Sequence, residues 1–274
     1  MASTSVVGTT TTVMVGITSA STTIETTSTN FAATTSSSSV TSSTSTSSVS
    51  QSSVGVVVPL YTYPTDSSWS TLILAKQTYP SVPIIAIINP NSGAGSSIDS
   101  NYVTGISDLK NPGIVVLGYV HTSYGSRDIS QIETEMSEYQ NWYGVDGIFF
   151  DEMSNLGSTL NYYSTLANYA NSLGFTMTMG NPGTTVDSSL IGVFSNLCIY
   201  ENSGMPSISS LDSYPSSGDG FSYIAYGVNS LPSLSAIQST AAYVSYIYIT
   251  DLGGSNPYNG LPTYFSNEVS NLSQ

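Results

Sequence analysis

The chain reads as an α/β protein: a (β/α)8 TIM barrel preceded by a Ser/Thr-rich low-complexity N-terminal segment. Three observations predict this. From Val56 onward, eight short apolar runs alternate with segments long enough to be helices. The eight units fill about 220 residues, close to the ~250 of a typical barrel. Several runs stop on polar or acidic residues, where barrel strands deliver their chemistry. An open doubly wound sheet would use the same units, but a count of eight favours closure.

The expected strands are Val56–Leu60, Ile84–Ile88, Ile114–Val120, Gly147–Phe150, Phe175–Met179, Leu197–Tyr200, Ser222–Tyr226 and Tyr243–Ile249. Continuously apolar runs such as Ile148 to Phe150 suit strands covered on both faces in a parallel sheet. The expected helices are Trp69–Tyr79, Ile98–Leu109, Ile129–Tyr143, Leu160–Leu173, Val186–Val193, Ile208–Leu211, Ser233–Ala242 and Leu261–Leu272. Asp128 is placed to cap the third, with Gln131 three residues on as in a capping box. Gly174 lies just past the fourth, where a left-handed residue is needed. The sixth is short and flanked by Pro206 and Pro215.

Two regions follow: residues 1–54 and a barrel domain at 55–274. The first is dominated by Ser and Thr, with Glu25 its only charge. Such a segment buries too little apolar surface to offset its ordering entropy, so it reads as a stalk or linker carrying O-glycans. Within it, residues 12–18 are β-prone and offer a strand for self-assembly at a sheet edge.

Charge excludes several partners. The net charge is −14 over 274 residues, and 7% of residues are charged, against about 25% in a typical domain. Only Lys76, Lys110 and Arg127 are basic, so no patch can form for nucleic acid or an anionic membrane. No apolar run approaches the ~18 residues that span a bilayer. The single cysteine, Cys198, sits in an apolar strand and reads as a buried thiol. A hydroxyl-rich, charge-poor surface suits an extracellular or cell-surface protein, one adapted to acid, although no basic n-region of a signal sequence is evident.

The strand ends define the expected functional rim. Gly147, Phe149 and Asp151 share one strand face, and the strand stops on Asp151 and Glu152. The sixth run likewise ends on Glu201. Around them the rim carries Tyr61, Tyr63, Asn89, Asn91, His121, Asn181, Asn202, Tyr226 and Asp251, without lysine or arginine. Amides and carboxylates bind sugar hydroxyls and aromatic faces stack on sugar rings, so a neutral or amino sugar fits this rim better than an anion. Two carboxyl groups flanking one bond are what glycosidic cleavage requires. Asp151 is assigned as nucleophile or electrostatic stabiliser and Glu201 as general acid. Glu152, His121, Asn89, Asn181 and the tyrosines position substrate, unless each acid merely caps a helix.

Other chemistries find little support. Gly93-Ala94-Gly95 follows a strand, but Ile98 stands where a dinucleotide fingerprint needs its third glycine. No Gly-x-Ser-x-Gly elbow occurs. One histidine beside paired acids makes a poor metal set, so neither metal nor cofactor is expected.

Four ordered stretches together resemble the spherulin-4 family and the secreted microbial glycoside hydrolases of glycoside hydrolase family 135. They are Val58-Pro59-Leu60-Tyr61; Ile87 through Gly95; Leu117-Gly118-Tyr119-Val120 with Thr122 and Tyr124; and Trp142-Tyr143 followed by Val145 through Glu152. The resemblance covers Val56 to the C-terminus. It implies a (β/α)8 barrel cleaving α-1,4-linked galactosamine-containing exopolysaccharide. The family's paired strand-four acids fall on Asp151 and Glu152, and its later glutamate on Glu201. Ala94 stands where the family usually has proline. Tyr124 joins the expected substrate-binding residues. Two competing expectations are a structural or adhesive surface protein displaying the barrel on its stalk, and a carbohydrate-binding module without turnover.

Overall fold

The computed structural model describes residues 54–213 and 220–274. The expected stalk and the strand at 12–18 lie outside these residues, as does Pro215. Eight parallel strands close on themselves in sequence order: β1 Gly55–Leu60, β2 Ile84–Ile88, β3 Val115–His121, β4 Gly147–Asp151, β5 Met177–Gly180, β6 Asn196–Ser203, β7 Phe221–Tyr226 and β8 Tyr246–Ile249. Each expected strand is present. The apolar runs are buried as predicted, with every residue of β1 and β2 excluded from solvent. Both faces are covered, the inner by side chains filling the barrel and the outer by helices.

The outer layer contains α1 Ser67–Thr78, α2 Ser100–Lys110, α3 Ile129–Glu138, α4 Leu160–Ser172, α5 Ile208–Leu211, α6 Leu234–Ala241 and α7 Phe265–Leu272. Asp66, Asp99 and Asp128 cap α1, α2 and α3 by accepting a backbone N–H two residues on. The helix expected at Val186–Val193 does not form. Asp187 instead accepts both the N–H and the hydroxyl of Ser189, leaving a single 3-10 turn at Ser188–Leu190. Short polar side chains compete with helical hydrogen bonding in this way. The end of α3 widens into a π turn at Tyr139–Tyr143, closed by left-handed Gly144.

The seam between β1 and β8 is thin, pairing only at Gly55↔Tyr246 and Val56↔Ile247, as few positions as β5 and β6 share. Above that seam, Glu268 of α7 supplies the missing acceptor. It is fully buried, and its Oε1 takes the N–H of Ile249 at 2.9 Å. At the opposite end of the barrel, Lys110 pairs with Asp146 at 2.9 Å while Asp146 accepts the N–H of Val116. Asp146 is therefore a structural acid, as its place before β4 suggests. Lys76 donates to the carbonyls of Pro80 and Val82, and Arg127 pairs with Glu135. All three basic side chains are thus engaged within the fold.

Candidate active site

Two strands deliver the acids. Asp151 ends β4, its Cα opposite His121 of β3, and it projects inward with Phe149 beneath it. Glu201 reaches the interior by a less direct route. Simple alternation along β6 would put it on the face of Leu197 and Ile199. The pairing with β7 instead slips between Cys198 and Tyr200, so that Tyr200 meets Tyr223 and Glu201 meets Ile224. Tyr223 points to the helices, where its hydroxyl meets Thr240 of α6. The bulge at Ile199 therefore turns Tyr200 outward and Glu201 inward, a re-aiming typical of bulges beside active sites. Gly183, left-handed at φ +61°, seals the irregularity by donating to Cys198 O and accepting from Glu201 N. A larger residue there would be strained by this left-handed backbone, with its Cβ in contact with Glu201 Cβ at 3.4 Å.

Asn181, just beyond β5, joins the two acids. Its Nδ2 donates to Asp151 Oδ1 at 2.8 Å and to Glu201 Oε2 at 2.5 Å. The reverse amide orientation would turn an oxygen toward two carboxylates, so charge fixes the assignment. Because one nitrogen reaches both, these oxygens lie no more than about 5.3 Å apart. Tyr119 of β3 donates to Asp151 Oδ2 at 2.8 Å, and Tyr258, from the β8–α7 loop, donates to Glu201 Oε1. Tyr61 stands between these two tyrosines, edge-on to Tyr119 at 5.7 Å and to Tyr258 at 5.6 Å.

Electrostatics separate the acids. Burial pushes the Glu201 carboxyl upward, and the nearby charge of Asp151 adds to this against the lowering effect of the Tyr258 and Asn181 hydrogen bonds. Burial followed by Asp151 raises Tyr119, and burial followed by Glu201 raises Tyr258, so both phenols keep their protons and donate. Burial and the neighbouring Asp151 charge thus suit Glu201 to hold a proton, while Asp151 accepts from Tyr119 and Asn181.

Local backbone strain gathers on the same rim. Among the described residues, the non-glycine residues with left-handed φ are Ser92, Ser123, Tyr124 and Glu152, all in loops after β2, β3 and β4. Glu152, at φ +50°, leaves the strand path, and its carbonyl accepts from Tyr124 N–H and Thr122 Oγ1. Its carboxylate lies near enough to Tyr119 to raise that phenol. Such conformations cost about 1–3 kcal/mol each and cluster at functional sites.

Residues 55–272 match the family described as spherulation-specific family 4, Spherulin4. The chain belongs to this family. Spherulin-4 of Physarum polycephalum is 36% identical over 241 residues, covering 81% of this chain and 70% of that protein. The crystal structure of Aspergillus clavatus Sph3 in complex with GalNAc superposes with a TM-score of 0.72 at 25% identity, covering 81% of this chain and 98% of that one. Membership of the spherulin-4 family therefore rests on the whole barrel.

The family chain brings some expected rim residues together and leaves others apart. Asp151, Glu201, Asn181 and Tyr61 form one cluster, with Glu152 beside it. Tyr124 is 69% exposed over the β3 loop. Asn91 borders a separate cavity. His121 lies beside Asp151 in register, its ring Nδ1 3.5 Å from Arg127 Nη1. Asn89 is occupied in holding its own loop, accepting from Gly93 N. Asn202 turns to its neighbour Ser203, and the carboxylate of Asp251 accepts from the N–H and hydroxyl of Thr263. Tyr226 is half-buried at the end of β7. Tyr119 and Tyr258 were not anticipated. Two-residue alternation back from His121 marks Tyr119 as inward-facing, whereas Tyr258 sits in a loop that carries no periodic signal.

Tyr258→Phe removes a hydrogen bond that lowers the Glu201 pKa. A reaction that needs protonated Glu201 is then expected to keep its rate to higher pH while its maximal kcat falls. A pH–kcat profile of the variant against the parent protein checks both shifts.

Proposed function

We propose that the protein is a secreted, retaining glycoside hydrolase that cleaves an amino-sugar polysaccharide of the α-1,4-linked galactosamine type. The observation that carries this reading is the Asn181 bridge, which keeps one oxygen of Asp151 and one of Glu201 within about 5.3 Å, a closeness that suits the ~5–5.5 Å spacing of a nucleophile and acid/base pair. An inverting pair would need ~6.5–9.5 Å to admit water. Family membership and the GalNAc-bound Sph3 relative support an amino sugar as ligand. Secretion agrees with the charge-poor, hydroxyl-rich composition. No described helix is long and apolar enough to cross a membrane.

In this reading Glu201 gives its proton to the departing glycosidic oxygen as Asp151 Oδ attacks the anomeric carbon, forming a glycosyl ester. Tyr119 and Asn181 hold the attacking carboxylate in one orientation. Glu201, now ionised, takes a proton from water, which attacks the anomeric carbon and returns Asp151 as carboxylate. Tyr61 and Tyr124 provide ring faces for the sugar, and Glu152 sits within reach of its polar groups.

Incubation with an α-1,4-linked N-acetylgalactosamine polymer, followed by mass analysis, is expected to show internal cleavage to oligosaccharides. An intact polymer, with galactosamine-containing and fully deacetylated forms equally untouched, would end the proposal.

A further inference from the structure

Among the cavities outside the acid cluster, two share Tyr63, and of their linings the reaction above uses only Tyr61. One, of about 460 Å³, is bordered by Tyr61, Thr62, Tyr63, Asp66, Asn256 and Asn259. The second, of about 410 Å³, is bordered by Tyr63, Asn91, Ser97, Asp99 and Tyr102 among others. Tyr63 is common to both. Tyr61 connects the first to the catalytic centre, because its ring also meets Tyr119 and Tyr258. The loop that carries Tyr258 to Glu201 also supplies Asn256 and Asn259 to the cavity wall. The two spaces therefore lead away from the acids along the β1, β2 and β8 side of the mouth.

Tyr63 has the properties of a stacking platform. The residue is 44% exposed, yet its side chain is held at several points. The hydroxyl donates to Asp99 Oδ2 at 2.9 Å and accepts from Asn101 Nδ2 at 2.7 Å. The ring also meets Tyr102 edge-on at 5.6 Å. An exposed aromatic face already fixed in place loses little entropy when a ligand covers it. Around it are amides, hydroxyls and carboxylates suited to sugar hydroxyls, and each cavity lies within the ~300–1,000 Å³ range of ligand sites.

We propose that Tyr63 is the hub of remote subsites that bind sugar units of the polymer well away from the bond being cleaved. This rests on the glycosidase reading and extends it. The enzyme grips a run of chain on one side of the scissile bond, so long substrates bind better than short ones. Binding energy there comes from ring stacking on Tyr63, with Asn91, Asn256 and Asn259 addressing hydroxyls.

The test compares a trimer and a nonamer of α-1,4-linked N-acetylgalactosamine on the full chain, using Tyr63→Ala and Tyr63→Trp. Tyr63→Ala is expected to raise KM for the nonamer about tenfold and leave the trimer within twofold, with Tyr63→Trp close to the parent. Thermal unfolding midpoints show whether each variant is folded. Equal effects on trimer and nonamer, or none on either, overturn the proposal. If the parent cleaves neither oligomer, the glycosidase reading fails separately, and calorimetric titration of both oligomers decides the groove. Selective loss of nonamer affinity in Tyr63→Ala then upholds it, and unchanged or absent nonamer binding overturns it.

Discussion

Asp151→Asn is expected to lower kcat on the polymer by about a thousandfold or more, with little change in KM. The carboxylate acts on the anomeric carbon only as the bond breaks, so its removal costs transition-state stabilisation rather than ground-state binding. An amide keeps the size of the group and can still accept from Tyr119 or Asn181, though not from both through one oxygen. The fold should survive, since Asp151 is half-buried at the barrel mouth. Glu201→Gln should behave differently. It removes the proton donor and later the base, a loss of about a hundred- to ten-thousandfold on the natural polymer. Much less is lost in the first step on a substrate whose leaving group needs no protonation. Steady-state kinetics on polymer and on an activated aryl glycoside separate the two roles. Loss of the same size on both substrates for both variants would contradict the assignment.

The second large effect concerns stability. Burial raises the Glu268 pKa well above its usual 4.5 in the folded chain, against the lowering effect of the Ile249 hydrogen bond. The folded state therefore binds a proton that the unfolded state has released at the same pH. Its contribution is fully present below about 4.5 and is lost as pH climbs from there toward the elevated folded value. Over that window the slope reaches about 1.4 kcal/mol per pH unit. Glu201, raised in the same direction, adds to the loss. The N-cap acids Asp66, Asp128 and Asp187 are lowered by their serine hydrogen bonds and act with the opposite sign, losing their contribution as pH falls below the ordinary aspartate value of 3.8.

Glu268→Gln should therefore raise the unfolding midpoint at pH 7 and leave it nearly unchanged at pH 4. The amide oxygen can still accept from Ile249 in the place of Oε1, so the substitution keeps that bond while removing the titrating group. Thermal denaturation across that range checks the difference. Equal midpoint shifts at both pH values would show that Glu268 does not titrate with folding. The expectation also bears on acid adaptation, since a barrel seam closed by a protonated carboxyl favours low pH.

Much of this fold is legible because its signals are local. Eight apolar runs are eight strands, and Asp128 caps α3 as its place before the periodic run suggests, whereas the second helix starts at Ser100 behind its cap Asp99 rather than at Ile98. Val186–Val193 misleads because its apolar spacing suits a helix, while Asp187 and Ser189 settle the backbone into a turn. Asp151 can be read as a rim acid because β4 ends on it. Glu201 lies within β6, which runs on to Ser203 instead of stopping at Tyr200, and alternation alone would send it to the helices. Only the bulge at Ile199, a property of pairing with β7, turns it inward. Tyr258 is fifty-seven residues from Glu201 in sequence, and no local pattern announces that contact. Asp251 has the same sequence credentials as Asp151, but the loop before α7 folds back and engages its carboxylate through Thr263. Strand ends show which residues reach the rim. Loop geometry decides which of them remain free for a ligand.

The central claim is that Asp151 attacks the sugar while Glu201 manages the proton. It is tested most directly by treating Glu201→Gln with an activated amino-sugar glycosyl fluoride and mapping the modified peptide by mass spectrometry. Slow deglycosylation should let a glycosyl ester accumulate on Asp151. Turnover without any adduct, or an adduct carried by Glu152 or another side chain, would contradict the account.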